Sequence, residues 1–229
     1  MAVRKESGRR KLPKMLPHIR LRHGQALWVL IQLGFRGPGS EKTFREYIKS
    51  LRKLGMPFAR GEVGLSSRRG LATYSFYHLM ELVLALTLRV YHVVPGSVLT
   101  ELVQNRKRLY RFYRRAYTER SIGRGSPTLL RIGNHPPILI SGAFLDLRMN
   151  FSSGKLTSFG PATLISPAQA IEIFTKSDVA ARSFLPINLS LLAERVVAAA
   201  LSAPLIRSGP REKKRSPTKL RSPRKVVKA

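Results

Sequence analysis

Apolar residues recur at helical spacing between Ser40 and Gly55. They are Phe44, Ile48, Leu51 and Leu54. Because these positions are four or three residues apart, they share one face of a helix, which we expect to pack inward. The Ser40 hydroxyl can accept a bond from an N–H of the first turn, and Gly55 is a common helix stop. The pattern therefore predicts a helix between these two residues, with basic residues on its other faces.

A turn-rich segment and a second helix follow this one. Residues 56–70 combine glycines with arginines, a composition typical of a two-stranded wing whose arginine side chains reach phosphates or a minor groove. Ser75 then caps a helix with one apolar row. This row consists of Leu79, Val83, Leu86 and Val90. The order of elements predicts a DNA-binding helix, then a wing, then a helix buried in the core.

Two further helices flank this stretch. Residues 24–35 are largely apolar up to Gly34, and they predict a short helix that braces the helix after Ser40. A longer helix is predicted from Ser97 to about Tyr117, with an apolar row of coiled-coil spacing. The row consists of Val98, Leu102, Asn105, Leu109, Phe112 and Ala116. Asn105 either sets the register of a homodimer or is a partly exposed residue at the edge of the core.

The pattern changes after a composition break at residues 123–127. Short apolar runs separated by Gly and Pro predict strands at 128–132, 137–140 and 144–149. Helical patterns follow at 167–174 and 189–201. We interpret residues 125–206 as a small α+β domain that mediates dimerisation, binds a small molecule or contacts another protein.

The first half of the chain resembles the MerR-type winged helix-turn-helix regulators over residues 24–104. The resemblance rests on Thr43-Phe44-Arg45-Glu46-Tyr47, Gly55-Met56-Pro57, Tyr74-Ser75 and the apolar pattern from Leu79 to Leu102. The helix before Gly55 is about one turn longer than is usual in that family, and Ala72 stands where the family commonly has an arginine. The resemblance implies a DNA-binding domain and a homodimer that reads paired half-sites.

Candidate DNA contacts follow from the resemblance and from the charge pattern. On the recognition helix, the candidates for bases and nearby phosphates are Lys42, Thr43, Arg45, Glu46 and Lys49. On the wing and at its exit, Arg60, Arg68, Arg69 and Tyr74 would hold the flanking backbone. The predicted basic helix, residues 105–124 with its linker, adds secondary contacts. These are Arg106, Lys107, Arg108, Arg111, Arg114 and Arg115, which would face phosphates or an acidic partner.

The net charge of +30, from 42 Lys and Arg against 12 Asp and Glu, makes a polyanion the expected partner. The excess lies in the first half of the chain and at both ends. Residues 1–23 and 207–229 lack apolar periodicity, so we predict disordered basic tails there. Since 43% of the residues are hydrophobic, the rest of the chain can bury a core.

Several classes of protein are disfavoured. The chain has no cysteine, which excludes disulfides and thiolate metal sites. Its five histidines are scattered, and neither a P-loop nor a G-x-S-x-G motif is present, so we expect no metal, no cofactor and no enzyme activity. No run of eighteen apolar residues exists, which argues against a membrane span. We therefore expect a cytoplasmic, nucleoid-associated location.

The sequence leads to three hypotheses. The first is a sequence-specific regulator of transcription that binds double-stranded DNA as a homodimer, with RNA polymerase as a possible contact. The second is a nucleoid-associated, architectural protein without a defined site, and the third is a structural RNA-binding protein that uses residues 106–120. The predicted fold class is mainly α: a winged helix-turn-helix, a basic helix, a small α+β C-terminal domain and disordered basic tails.

Overall fold

The structure, a computed structural model, describes residues 16–36, 40–58, 72–92, 94–121, 128–130, 138–175 and 184–205. The helices in these ranges are α1 (His23–Gln32), α2 (Glu41–Lys53), α3 (Phe76–Tyr91), α4 (Gly96–Gln104), α5 (Arg106–Ser121), α6 (Pro167–Thr175) and α7 (Leu189–Leu201). The strands are β1 (Thr128–Leu130), β2 (Ile138–Ile140), β3 (Phe144–Ser152), β4 (Lys155–Phe159), β5 (Thr163–Ile165) and β6 (Phe184–Asn188). The fold is mainly helical, with a small antiparallel sheet. Residues 59–70 of the predicted wing lie outside the described residues, so the winged helix-turn-helix stays a prediction.

The four-stranded sheet is built around β3. The strand β6 pairs with residues 144–148 and β5 with residues 144–146, both antiparallel. The strand β4 pairs with residues 149–152 through a tight hairpin at Ser153 and Gly154. Both of these residues have a positive φ, as a type I′ hairpin turn requires. The strands β1 and β2 form a separate antiparallel pair.

One hydrophobic core joins the helices to the sheet. The helix α3 runs through its centre, and every residue from Leu79 to Leu86 is buried. The same core contains Leu145 of β3 and Ala193 of α7, and α7 packs against α1, α3 and α5. Residues on both sides of the predicted boundary at residue 125 therefore share one hydrophobic core, whereas the sequence predicted a DNA-binding domain and a separate α+β domain. The change in composition marks a change in surface charge, and the two parts share their interior.

The predicted helix from Ser97 to Tyr117 is in fact two helices. The first, α4, begins at Gly96 after Pro95 and ends at Gln104. Asn105 interrupts the helical conformation, and α5 begins at the next residue. Asn105 is exposed, and its side-chain amide donates to the Glu101 carbonyl at 3.0 Å. The other members of the row pack against the chain's own core, with Phe112 only partly buried. The row is therefore unavailable as a dimer seam, and the position of Asn105 agrees with the core-edge interpretation.

Among the described residues, none of the helices has the length and the apolar character that crossing a bilayer requires. The longest helices, α3 and α5, have 16 residues each. The first of them is held inside the protein core, and the second is strongly basic.

Candidate nucleic-acid interface

The helix α2 forms as its sequence predicts. The Ser40 hydroxyl accepts a bond from the Thr43 N–H at 3.2 Å, and the Thr43 hydroxyl lies 3.0 Å from the same oxygen. Phe44, Ile48 and Leu51 are buried, whereas Leu54 is half-buried. Thr43 therefore stands at the capped end of the helix, where its side chain helps to close the first turn.

The face of α2 opposite the buried residues is a row of exposed cations. Lys42 and Lys49 are seven residues apart and therefore align along the helix, and Lys53 continues the row one turn later. Arg45 and Glu46 flank the row on either side, and both are exposed. The structure thus brings the candidate residues of the recognition helix to one outward surface, with Thr43 at its end.

Two cations of this surface are engaged in exposed ion pairs. The Arg45 guanidinium lies 2.6 Å from the Glu41 carboxylate, and the Lys49 ammonium lies 2.5 Å from the Glu46 carboxylate. All four side chains are more than half exposed. Pairs of this kind contribute about 0.2–1 kcal/mol each. Both cations can therefore be transferred to an anionic ligand at a small free-energy cost.

Tyr74 does not lie on the outward basic surface of α2. Its side chain is only 1% exposed, and its backbone forms an antiparallel bridge with Leu21. Its hydroxyl accepts a bond from Arg52 and lies 3.1 Å from His23 Nδ1. The assignment of Tyr74 to the DNA backbone is therefore wrong in this structure, because the ring closes the core behind α2. The three wing arginines, Arg60, Arg68 and Arg69, lie outside the described residues.

His23 belongs to the same cluster, which sequence reasoning missed by treating it as one of several scattered histidines. The Arg52 guanidinium donates to His23 Nδ1 at 2.8 Å, so the imidazole accepts as a neutral ring. Burial, and then the positive charges of Arg52 and Arg45, lower the pKa of His23 from 6.5 to about 4. The sequence offered one signal for this cluster: His23 lies next to the first predicted helix in a strongly basic chain, where nearby cations are to be expected.

We expect the fold to lose stability as the pH falls from about 6.5 towards 4. In this window the folded protein binds fewer protons than the unfolded chain, because the pKa of His23 is lowered only in the folded state. Urea unfolding at pH 7 and pH 5 measures the loss. His23→Gln keeps an acceptor for Arg52 and removes the titration, so its loss of stability between these pH values should be smaller. An equal loss in both proteins would contradict the assignment.

The helix α5 presents a second basic face. Its exposed cations are Lys107, Arg108, Arg111, Arg114 and Arg115. At 100° per residue these positions occupy an arc of about 120°. Leu109, Tyr113 and Ala116 lie on the other side and are buried in the core. The structure therefore places five of the six secondary candidates on one outward face of this helix.

Arg106 is the exception among these candidates, because it points inward. Its side chain is 16% exposed and forms an ion pair with Glu81 of α3, which is 1% exposed. The guanidinium Nε donates to one carboxylate oxygen at 2.9 Å and Nη2 donates to the other at 2.7 Å. Tyr110 donates its hydroxyl to the same carboxylate at 3.0 Å. The assignment of Arg106 to a nucleic-acid contact is therefore wrong in this structure.

Comparisons with protein-family models, with curated proteins and with solved structures found no match. In the ranges that the structure describes, no three His, Asp or Glu side chains are grouped so that they could hold a metal ion. The two outward basic faces, on α2 and α5, are the candidate interface that the described residues present.

Proposed function

We propose that this protein is a sequence-specific, double-stranded DNA-binding regulator of transcription, with α2 as its recognition helix. The supporting observation is the geometry of α2: one face is buried by Phe44, Ile48 and Leu51, and the opposite face is an exposed cationic row. A helix about 10–12 Å wide fits the major groove of B-DNA, which is about 12 Å across. The resemblance of residues 43–47 to the MerR-type recognition helix agrees with this role.

Each exposed side chain of α2 suits a different part of the DNA. Arg45 can make a bidentate contact with guanine, and Glu46 can accept from the amino group of cytosine. Lys42 and Lys49 suit phosphates, as do the wing residues Arg60, Arg68 and Arg69. We further propose that a homodimer binds paired half-sites and contacts RNA polymerase, as a regulator of this type would.

A selection of random duplexes tests the proposal. The purified protein is incubated with the pool at about 150 mM salt, near physiological ionic strength, and the bound duplexes are sequenced. Recovery of one inverted repeat would support a dimeric, site-specific regulator. Recovery of no preferred sequence, or of AT-rich DNA alone, would contradict sequence-specific binding and favour an architectural protein.

Arg45→Ala should weaken binding to the selected site by about 1–3 kcal/mol and relax the preference at one base pair. This loss is expected because a bidentate contact between arginine and guanine discriminates against the other bases by about 1–3 kcal/mol. Glu41→Gln is the matched control, since it removes the ion-pair partner of Arg45 and leaves the arginine in place. We expect the control to bind at least as tightly as the wild type in fluorescence-anisotropy titrations. Unchanged affinity and preference in Arg45→Ala would refute this role.

The RNA-binding alternative loses its main support. That hypothesis needs aromatic side chains of residues 106–120 to stack on unpaired bases. Tyr113 and Tyr117 are buried, and Tyr110 is stacked on Tyr77 with ring centroids 4.8 Å apart. Phe112 is partly buried beneath the guanidinium of Arg108, 5.6 Å from the ring centroid. The outward face of α5 therefore presents cations and few accessible aromatic rings, which suits binding to the phosphates of a duplex.

A further inference from the structure

The start of α5 is tied to the end of α2. Arg106, the first residue of α5, donates from Nη2 to the Gly55 carbonyl at 2.5 Å. Gly55 follows α2 with φ +91°, a left-handed conformation that favours glycine. The same guanidinium is held by the buried Glu81 carboxylate of α3. We call these three residues, Gly55, Glu81 and Arg106, the joint.

The joint brings the C-terminal end of α2 close to the N-terminal end of α5. Lys53, the last cation of α2, lies two residues before Gly55, and Lys107 of α5 directly follows Arg106. Both rows face away from the shared core. At 1.5 Å per residue, the row from Lys42 to Lys53 is about 17 Å long and the row from Lys107 to Arg115 about 12 Å. Each row is long enough to meet several phosphates of one strand, which carries one charge per about 3.4 Å.

We propose that the outward face of α5 binds the phosphate backbone of the duplex beside the segment at α2, and that the joint sets the spacing of the two contacts. This inference rests on the proposed function, since it takes α2 as the DNA-reading helix. The exposed side chains of α5 from Lys107 to Arg115 are all cations. We assign them to the sugar-phosphate backbone, because the proposed function gives the reading of base edges to α2. The contribution of α5 is therefore independent of sequence.

The joint is suited to hold a fixed geometry. A bidentate arginine–carboxylate pair restricts direction as well as distance, and Nη2 also donates to the Gly55 carbonyl. Glu81 lies in the middle of α3, whose surroundings are closely packed apolar side chains. Displacing α5 from α2 would leave this carboxylate buried without its cation. Arg106 is therefore a positioning residue, which acts through the cations that follow it.

The salt dependence of DNA binding tests the α5 contact. The variant Lys107→Gln/Arg111→Gln is compared with Lys155→Gln/Arg195→Gln, in which two exposed cations of β4 and α7 are removed, so both variants have the same net charge. The probe is a duplex from the selection, titrated by fluorescence anisotropy at several salt concentrations. We expect the slope of log K against log salt to fall by up to about 1.8 in the α5 variant, near 0.9 for each phosphate contact. The control should keep the wild-type slope.

The outcomes separate this inference from the proposed function. If the α5 variant keeps the slope of the control while the wild type still prefers one site, the α5 contact is refuted and the recognition helix is retained. If no sequence is preferred but the α5 variant still lowers the slope on a random duplex, sequence-specific regulation is refuted and the backbone contact stands. If the wild type binds no duplex, both are refuted.

A double-mutant cycle tests the joint. Arg106→Met with Glu81→Leu replaces the buried pair by apolar side chains, which proteins often tolerate, and removes the bond to Gly55. In this background Lys107→Gln/Arg111→Gln should change the salt slope less than in the wild type. Arg106→Lys keeps a cation near Glu81 but lacks the fork that also reaches Gly55, so it provides a second background with the same expectation. An equal slope change in all three backgrounds would refute the positioning role.

Discussion

Glu81→Ala will lower the free energy of unfolding by about 3–5 kcal/mol, the usual cost of removing one partner of a buried ion pair. The change removes the carboxylate that the largely buried Arg106 guanidinium binds through two nitrogens, and it removes the carboxylate acceptor of the Tyr110 hydroxyl. It also opens a cavity beside α3, where the surrounding residues are apolar. Urea unfolding monitored by circular dichroism at pH 7 gives the value.

Two comparison proteins show whether this loss comes from the buried charge. Glu46→Ala removes an acid from an ion pair of 2.5 Å whose side chains are both more than half exposed, and it should cost less than about 1 kcal/mol. Glu81→Leu with Arg106→Met should recover most of the stability lost in Glu81→Ala, because no unpaired charge remains. A similar loss in Glu46→Ala and Glu81→Ala would show that burial of the pair is irrelevant.

The helices were largely predictable because their signals are local. The helix α2 carries its cap, its apolar face and its stop within sixteen residues, and all three are observed. The helix α7 spans the predicted residues, Leu189–Leu201. Of the strands, β1, β2 and β3 were predicted, whereas β4, β5 and β6 were missed. The strand β4 is mostly polar, β5 has three residues, and the pairing of β6 with β3 joins residues about forty positions apart.

The errors in the candidate site have a different origin. Residue type indicates that Arg106 is charged and that Tyr74 can donate a hydrogen bond, but it does not tell which side of the chain faces the core. Arg106 turns inward because Glu81, twenty-five residues earlier, needs a cation in an apolar setting. This need was visible in the sequence as a lone acid within the apolar run of α3. The sequence did not show which cation pairs with Glu81, because the choice depends on how α5 packs against α3.

A close approach between the β2–β3 turn and α7 leads to the second large prediction. Gly142 has φ +97°, and a Cβ atom added there would lie 2.5 Å from the Ser190 Cβ. Ser190 is fully buried and joins three elements: its hydroxyl accepts from the Ala143 N–H and donates to the Ala116 carbonyl of α5, both at 2.8 Å. We therefore expect Gly142→Ala to be strongly destabilising.

Gly34→Ala is the matched control for this change. Gly34 has nearly the same φ, +90°, but nothing lies within 4 Å of an added Cβ atom. Both variants bear the cost of a left-handed alanine, about 1–2 kcal/mol, and both gain equally from a stiffer unfolded chain. The difference between them isolates the clash with Ser190, which overpacking data place at about 1–3 kcal/mol.

The size of this difference reports how firmly the sheet is joined to the basic helix. A shift of Ser190 that relieved the clash would stretch its bond to Ala116, so the strain would reach α5 directly. Urea unfolding of the two variants should therefore give a lower midpoint for Gly142→Ala than for Gly34→Ala. Equal midpoints would mean that α7 shifts away from the added methyl group with no loss of stability. The contact of Ser190 with the turn before β3 would then not be rigid.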